Sequence, residues 1–164
     1  MQSLRDEDDT FKPKPITFID SNIAHIYANS KRAKDEFPGY PAGLLRAVSL
    51  ARRLLDPLPE IAGLCNQDNE ISSLQLHWLK ELVPKDQLQA RLERPFLAVV
   101  NSVGVEINRV LDHKWTEPLL QFVCGLGPRK AQALLQSLRG RVRARKDLQK
   151  VLGPCVYTNV VAFL

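Results

Sequence analysis

The fold is decided by the stretch Phe122-Val123-Cys124-Gly125-Leu126-Gly127-Pro128-Arg129-Lys130-Ala131-Gln132-Ala133-Leu134-Leu135. An apolar segment runs into Gly-Leu-Gly-Pro, and an amphipathic segment that opens with two cations follows it. Glycine permits positive φ in a tight turn, and proline suits the first turn of a helix, where its missing N–H costs nothing. The stretch therefore predicts a helix-hairpin-helix.

Each residue of this hairpin has a predicted task. Gly125 and Gly127 allow positive φ and the close approach of another backbone, while Leu126 turns inward between the two helices. The free N–H groups of the second helix, together with Arg129 and Lys130, form an anion site suited to a phosphate. Short glycine-rich patterns also recur by chance, so a plain interhelical turn with a solvated first helical turn is an open alternative.

The charge of the chain is unevenly distributed. The 164 residues include 23 Lys and Arg against 18 Asp and Glu, which gives a net charge of +5, and 45% of the residues are hydrophobic, enough for a core. An acidic run occupies Asp6 to Asp9 near the start. From Pro118 onward a single acid, Asp147, accompanies eight cations, so the C-terminal third is the candidate for nucleic-acid binding. These cations are Arg129, Lys130, Arg139, Arg141, Arg143, Arg145, Lys146 and Lys150.

The cysteines and the hydropathy exclude several classes of protein. Cys65, Cys124 and Cys155 are odd in number and far apart, so they predict neither a disulfide framework nor a zinc site. The chain has no apolar run of about 18 residues, and Met1 to Lys14 lacks the apolar centre of a signal peptide. We expect an intracellular protein with reduced thiols and without metal or cofactor.

The N-terminal part predicts a leader and a small β-hairpin. Residues 1–15 are polar and end in alternating Lys and Pro, which predicts a disordered leader. Ile16 to Ile19 and Ile23 to Tyr27 are rich in β-branched and aromatic residues, and a polar turn separates them, so they predict two short strands. Because a lone hairpin is marginal in water, these strands either pack on the following helices or form the edge of a larger sheet.

Two helices follow. The first is predicted to bury Leu44, Val48, Ala51 and Leu55 before Asp56-Pro57 ends it. Arg46, Ser49 and Arg53 fall on the opposite face, which is expected to be solvated, with a nucleic-acid contact of the arginines as the alternative. The second is an apolar stripe of Leu88, Leu92, Phe96, Val99 and Val103, in which Pro95 is expected to kink or split the helix. Gly104 ends that stripe and predicts a turn that orients the hairpin modules.

A second unit repeats the design of the first. Gly153-Pro154 lies 26 residues after Gly127-Pro128, and the basic connector of residues 139–146 separates the two, which indicates an internal duplication. Cys155 and Val156 stand where the first copy has Arg129 and Lys130. We expect the first hairpin to bind phosphate better, and the second to serve mainly in completing the core.

Three segments carry a resemblance to a known family: Ala47 to Leu58, Val100 to Arg109 and Gln121 to Lys130. In this order they resemble the Spt-six family of eukaryotic transcription elongation factors and histone chaperones, whose bacterial relative is Tex. The resemblance covers nearly all of residues 23–164, and the form Gly-Leu-Gly-Pro-Arg-Lys is similar to the eukaryotic branch.

The resemblance implies a division of the chain. Residues 16–59 would be the C-terminal part of a YqgF-type, ribonuclease-H-like domain, which is regarded as non-catalytic in the eukaryotic branch. Residues 60–116 would be connecting helices, and residues 117–164 a tandem helix-hairpin-helix nucleic-acid-binding domain. The expected fold is mainly α, with the N-terminal β-hairpin as the remnant of a ribonuclease-H-like sheet. Family members are much longer, so the chain resembles an excerpt or a truncated gene product.

The favoured hypothesis is a non-enzymatic, sequence-independent nucleic-acid-binding module. DNA is the favoured ligand, and RNA is the open alternative. The resemblance implies a nuclear location, with the RNA polymerase II elongation complex and histones as partners. No membrane partner is expected, because the chain has no long apolar run. The candidate nucleic-acid-binding residues are Gly125, Leu126, Gly127, Arg129, Lys130, Arg139, Arg141, Arg143, Arg145, Lys146 and Gly153.

Two other functions are open. One is a protein-interaction scaffold whose basic linker docks an acidic partner, such as a histone chaperone surface or a polymerase subunit. The other is a nuclease or resolvase, suggested by the ribonuclease-H-like remnant. Such chemistry needs converging carboxylates around metal ions. It is the least favoured function, because the acids of this region are scattered over leader and loop segments: Asp6 to Asp9, Asp20, Asp35 and Glu36.

Overall fold

A computed structural model of the chain describes residues 15–66, 70–138 and 140–164. The leader predicted for residues 1–15 falls outside these ranges except for Pro15, which is exposed. The acidic run and Arg139 also lie outside the described residues.

The described residues form helices and connecting turns and contain no strand. The α-helices are α1 (Asn22–Asn29), α2 (Lys31–Glu36), α3 (Ala42–Leu55), α4 (Pro57–Leu64), α5 (Lys85–Val103), α6 (Ile107–Asp112), α7 (Gly127–Ser137), α8 (Arg145–Leu148) and α9 (Pro154–Val160). Three 3₁₀ helices span Glu70–Ser73, Trp78–Leu82 and Lys114–Phe122. None of the described helices combines the length and the apolar character that crossing a membrane requires.

The predicted N-terminal β-hairpin is not confirmed. Ile16 to Ile19 has no regular structure, and the second predicted strand, Ile23 to Tyr27, lies within α1. The buried residues of α1 are Ile23, Ala24, Tyr27 and Ala28, a spacing of 3.6 rather than 2 residues. Helical packing against α3 therefore overrides the local preference of β-branched residues for strands.

The buried face of α3 also differs from the predicted one. Leu44 is 53% exposed and Leu55 78% exposed, whereas Leu45 and Ser49 are buried. The Ser49 hydroxyl donates a hydrogen bond of 2.6 Å to Oε2 of Glu60, a buried residue of α4. Since the neighbouring helix supplies a buried carboxylate, the polar side chain of α3 turns inward to meet it.

Arg52 joins the N-terminal helices to the rest of the chain. Its guanidinium forms an ion pair with Glu36 and donates a hydrogen bond of 3.2 Å to the Tyr27 hydroxyl. It also lies over the ring of Trp115, 5.3 Å from the centroid, in the 3₁₀ helix Lys114–Phe122. Burial and the hydrogen bond that the Tyr27 hydroxyl donates to Glu36 raise the pKa of Tyr27 to about 12.

The main core lies beneath α5 and the 3₁₀ helix Lys114–Phe122. Phe96 of α5 packs edge-on against Phe122, with ring centroids 4.8 Å apart. Helix α5 runs without interruption from Lys85 to Val103, so Pro95 does not split it. Phe96 and Val100, one turn apart, are both buried. The end of the predicted apolar stripe is wrong: Val99 and Val103 are exposed, and Val100 takes the core position.

Gly104 forms the predicted turn between α5 and α6. Its φ is 82°, and its N–H donates a hydrogen bond of 2.8 Å to the Val100 carbonyl at the end of α5. The next N–H, of Val105, bonds to the Phe163 carbonyl at 2.7 Å. The C-terminal segment is therefore fixed against the α5–α6 junction.

Candidate nucleic-acid interface

The first hairpin has the backbone that its sequence predicts. Gly125 has φ 93° and Gly127 has φ 69°, two conformations that residues with a Cβ rarely adopt. Leu126 between them is 4% exposed and joins the main core. The 3₁₀ helix Lys114–Phe122 precedes this hairpin and α7 follows it, so the predicted helix-hairpin-helix is confirmed.

The hairpin packs against the second unit. A Cβ on Gly125 would lie 3.1 Å from both Asn159 Cβ and Val160 Cγ2 of α9, whereas the space beside Gly127 is open. Gly125 is therefore required both for its φ and for the close approach of α9, and Gly127 for its φ alone.

Asn101 of α5 holds the hairpin from the other side. Its side-chain Nδ2 donates a hydrogen bond of 2.8 Å to the Phe122 carbonyl, and its Oδ1 accepts one of 2.8 Å from the Cys124 N–H. The sequence-based candidates did not include Asn101, because its two partners are more than 20 residues away.

The two cations of the hairpin stand at the start of α7. The Lys130 ammonium donates a hydrogen bond of 3.2 Å to the Gly125 carbonyl, which places its charge over the turn. Arg129 is exposed and forms no ion pair within the described ranges. The first N–H groups of a helix lack intrahelical partners, and the helix dipole adds partial positive charge beside them. An anion at this end of α7 would meet both.

The basic linker between the two units is held by α6. Nδ2 of Asn108 donates a hydrogen bond of 2.9 Å to the Val142 carbonyl, and its Oδ1 accepts one of 2.8 Å from the Val142 N–H. Val142 is half-buried against the main core, while Arg141 and Arg143 beside it are exposed. Asn108 therefore fixes the backbone at Val142, and the two arginines that flank it are presented to solvent.

The cations of the linker are not equivalent. Arg141 forms an ion pair of 2.5 Å with Asp112 of α6, and Nε of Arg145 donates a hydrogen bond of 2.9 Å to the Leu164 carbonyl. Arg143 and Lys146 are exposed and form no ion pair within the described parts of the chain. The linker thus carries two engaged and two unengaged cations among its described residues.

The one acid of this region serves the local backbone. The Ala144 N–H donates a hydrogen bond of 3.1 Å to Oδ2 of Asp147, and this bond, with the nearby Lys150, holds the pKa of Asp147 below its ordinary value. Asp147 therefore stays ionised and caps the start of α8.

The second hairpin has a different backbone. Gly153 has φ −62°, an ordinary conformation that other residues adopt, and it is the N-cap of α9. Leu152, Val160 and Leu164 of this unit belong to the main core. No hydrogen bond or ion pair joins the cations of the two units across the described residues.

Two of the N-terminal acids form ion pairs with arginines of α3. Asp20 pairs with Arg53 at 3.7 Å and Glu36 with Arg52. The described residues contain no group of three or more His, Cys, Asp or Glu side chains arranged to hold a metal ion. Cys65 is buried, and burial raises the pKa of its thiol to about 12.

Fold and interface together define a helix-hairpin-helix protein, and comparison with known families agrees. A family model described as "Helix-hairpin-helix motif" matches residues 69–164. A second, described as "Holliday-junction resolvase-like of SPT6", matches residues 1–65.

Curated relatives give the particular family. The chain is 43% identical to "Transcription elongation factor SPT6" of Drosophila melanogaster over 94% of its own length and 9% of that protein. It is 38% identical to "Suppressor of Ty 6 homolog" of Caenorhabditis elegans over 94% of the chain and 10% of that protein. It is 35% identical to "Transcription elongation factor SPT6" of Saccharomyces cerevisiae over 92% of the chain and 10% of that protein. The chain belongs to the SPT6 family of transcription elongation factors, and it spans about a tenth of the length of these relatives.

Proposed function

We propose that the chain is a non-enzymatic, sequence-independent nucleic-acid-binding part of a transcription elongation factor and histone chaperone. The observation that carries the proposal is the first hairpin. Its two positive-φ glycines set Arg129 and Lys130 at the start of α7, where free N–H groups and the helix dipole favour an anion.

Binding works through phosphates rather than bases. The α7 N-terminus, Arg129 and Lys130 grip one or two phosphates, while the linker supplies further attraction. Among the described cations of the linker, Arg143 and Lys146 contribute most, because Arg141 pairs with Asp112 and Arg145 bonds to the Leu164 carbonyl. Few contacts make the affinity modest and strongly dependent on salt. Arg139, Arg145 and Gly153 complete the proposed interface. Leu126 takes part only through its backbone in the turn, because its side chain is buried in the main core.

The proposal includes a division of labour along the chain. Residues 16–59 are the end of a YqgF-like domain without catalytic activity, residues 60–116 are connecting helices, and residues 117–164 are the tandem helix-hairpin-helix domain. In the cell the chain acts in the nucleus on DNA, with RNA polymerase II elongation complexes and histones as partners of the protein to which it belongs.

Fluorescence anisotropy with labelled duplex and single-stranded DNA, and with RNA of the same sequence, tests the proposal. The chain should bind DNA at 50 mM salt, bind unrelated sequences equally, and lose affinity linearly in log–log plots against salt. The proposal would be contradicted if the chain did not bind DNA at 50 mM salt, or if its affinity for DNA did not change with salt concentration.

One observation favours a second function. Arg141 of the linker already binds a carboxylate, that of Asp112, so the linker is chemically suited to an acidic protein surface as well. In that case an acidic peptide would bind the chain, and DNA would not be retarded even at low salt.

A further inference from the structure

Two asparagines on one short segment hold the two cation-bearing elements of the interface. Asn101 lies in the last turn of α5 and binds the hairpin, and Asn108 lies in the first turn of α6 and binds the linker. Each amide donates one hydrogen bond to a backbone carbonyl and accepts another from a backbone N–H. Asparagine carries this donor and acceptor pair on one short, rigid side chain.

The contacts of Asn101 determine where the hairpin starts. Nδ2 also donates a hydrogen bond of 2.7 Å to the Leu97 carbonyl of its own helix, which fixes the orientation of the amide. Asn101 binds the N–H of Cys124, the residue directly before Gly125, and so fixes where the turn begins. The Lys130 ammonium bonds to the Gly125 carbonyl, so its position depends on the position of the turn.

Helix α6 holds the linker at two points. Asn108 and Asp112 are four residues apart and so lie on the same face of the helix. The first binds the backbone of Val142 in both directions, and the second binds the guanidinium of Arg141. Arg143 directly follows Val142, so these contacts fix the backbone from which its exposed side chain extends.

The segment between the two asparagines is itself fixed. Gly104 turns the chain at φ 82°, and the Val105 N–H bonds to the Phe163 carbonyl at 2.7 Å. Val105 and Ile107 are buried in the main core. The spacing between the hairpin and the linker is therefore set by a rigid connection and not by a flexible loop.

We propose that Asn101 and Asn108 are positioning residues of the nucleic-acid interface: Asn101 holds Arg129 and Lys130, and Asn108 holds Arg143, in the arrangement that contacts phosphates together. This inference rests on the proposed function. Neither asparagine touches the nucleic acid; each acts through the backbone that it binds.

A double-mutant cycle on the full chain tests this role, because coupling energies report which residues act through one another. Arg129→Ala and Arg143→Ala are each measured in the wild-type, Asn101→Ala and Asn108→Ala backgrounds, by DNA affinity and its salt slope. Asn29→Ala is the matched control, since this exposed asparagine bonds locally to the His25 carbonyl of α1. Circular dichroism establishes that every variant is folded, and serine replaces alanine at a position where alanine prevents folding.

Each asparagine substitution is expected to reduce the effect of one arginine substitution and to leave the effect of the other unchanged. In wild type each arginine substitution should weaken binding roughly threefold to tenfold and lower the salt slope by about one. In the Asn108→Ala background, the loss of DNA affinity caused by Arg143→Ala should fall below about twofold, whereas the loss caused by Arg129→Ala should be as large as in wild type. In the Asn101→Ala background, the loss caused by Arg129→Ala should fall below about twofold, and the loss caused by Arg143→Ala should be unchanged. In the Asn29→Ala background, both arginine substitutions should reduce DNA affinity as much as they do in wild type.

Three results would overturn the inference. If wild type binds DNA and all four pairs are additive, the positioning role is wrong and the proposed function stands. If each asparagine substitution reduces the effects of both arginines equally, the asparagines stabilise the fold only. If wild type does not bind DNA, the proposed function fails, and the positioning role fails with it.

Discussion

Arg109 and Asp56 join the two parts of the chain that different family models match. Nη1 of Arg109 in α6 lies 2.8 Å from Oδ2 of Asp56, the N-cap residue of α4. Oδ1 of the same carboxylate accepts a hydrogen bond of 3.1 Å from the Leu58 N–H. One carboxylate therefore starts a helix in the N-terminal part and fixes α6 of the C-terminal part.

Removing this carboxylate should cost more than removing its cation. Asp56→Ala loses both the helix cap and the ion pair, so we expect the free energy of unfolding to fall by about 1–2 kcal/mol. Arg109→Ala loses the half-exposed ion pair alone and should cost less than about 1 kcal/mol. Urea unfolding of both variants measures the difference. Equal losses would mean that the cap contributes nothing.

The three hairpin glycines should differ in a fixed order. Gly125→Ala combines positive φ with contacts of 3.1 Å to α9 and should cost about 2–4 kcal/mol. At Gly127 an added Cβ would contact nothing within 4 Å, but alanine would have to adopt the positive φ, so Gly127→Ala should lower the free energy of unfolding by about 1–2 kcal/mol. Gly153→Ala has an ordinary φ of −62° and nothing within 4 Å of the added Cβ, so it should lose only the preference of an N-cap for glycine over alanine, less than about 1 kcal/mol.

Chemical denaturation of the three alanine variants checks this order. A loss at Gly153 as large as that at Gly125 would contradict the difference between the two hairpins.

The buried Glu60 should make stability depend on pH. Burial raises the pKa of Glu60 above its ordinary value of 4.5, although the hydrogen bond from Ser49 opposes the shift. The folded state therefore holds this proton more tightly than the unfolded state, and its contribution to stability is present below pH 4.5 and lost as pH rises through the folded pKa.

Glu60→Gln removes the charge and keeps an oxygen acceptor for Ser49. The variant should be more stable than wild type at pH 7, and its advantage should shrink on acidification, because wild-type Glu60 then becomes neutral as well. Thermal unfolding of both proteins from pH 4 to pH 8 gives the comparison. An advantage that grows toward low pH would reverse the assigned direction of the shift.

Local signals in the sequence predicted the hairpin but not the N-terminal helices. Gly-Leu-Gly-Pro specifies positive φ and a helix start within a few residues, and both are present at Gly125 and Gly127. The composition of Ile23 to Tyr27 predicts a strand, although Ile23, Ala24 and Tyr27 have helical spacing. The period was the better signal than the β-branched side chains.

Contacts between distant residues were beyond the reach of the sequence. The face of α3 that turns inward depends on residues of other helices. Ser49 binds Glu60, and Arg52 binds Glu36 and Tyr27, and the sequence of α3 indicates none of these partners. Asn108 and Val142 are 34 residues apart, and nothing in the local pattern of either indicates the pair. The sequence shows the order of the cations along the chain, whereas the contacts that hold the segments carrying them join distant residues.

The most direct test of the account is the salt slope of DNA binding by the double variant Arg129→Ala/Lys130→Ala. Its matched control is Lys31→Ala/Lys34→Ala, which removes the same charge from exposed positions of α2. If the hairpin grips phosphates, the slope of log affinity against log salt should fall by about two in the hairpin variant and stay near the wild-type value in the control. An unchanged slope in the hairpin variant, or an equal fall in both, would contradict the claim.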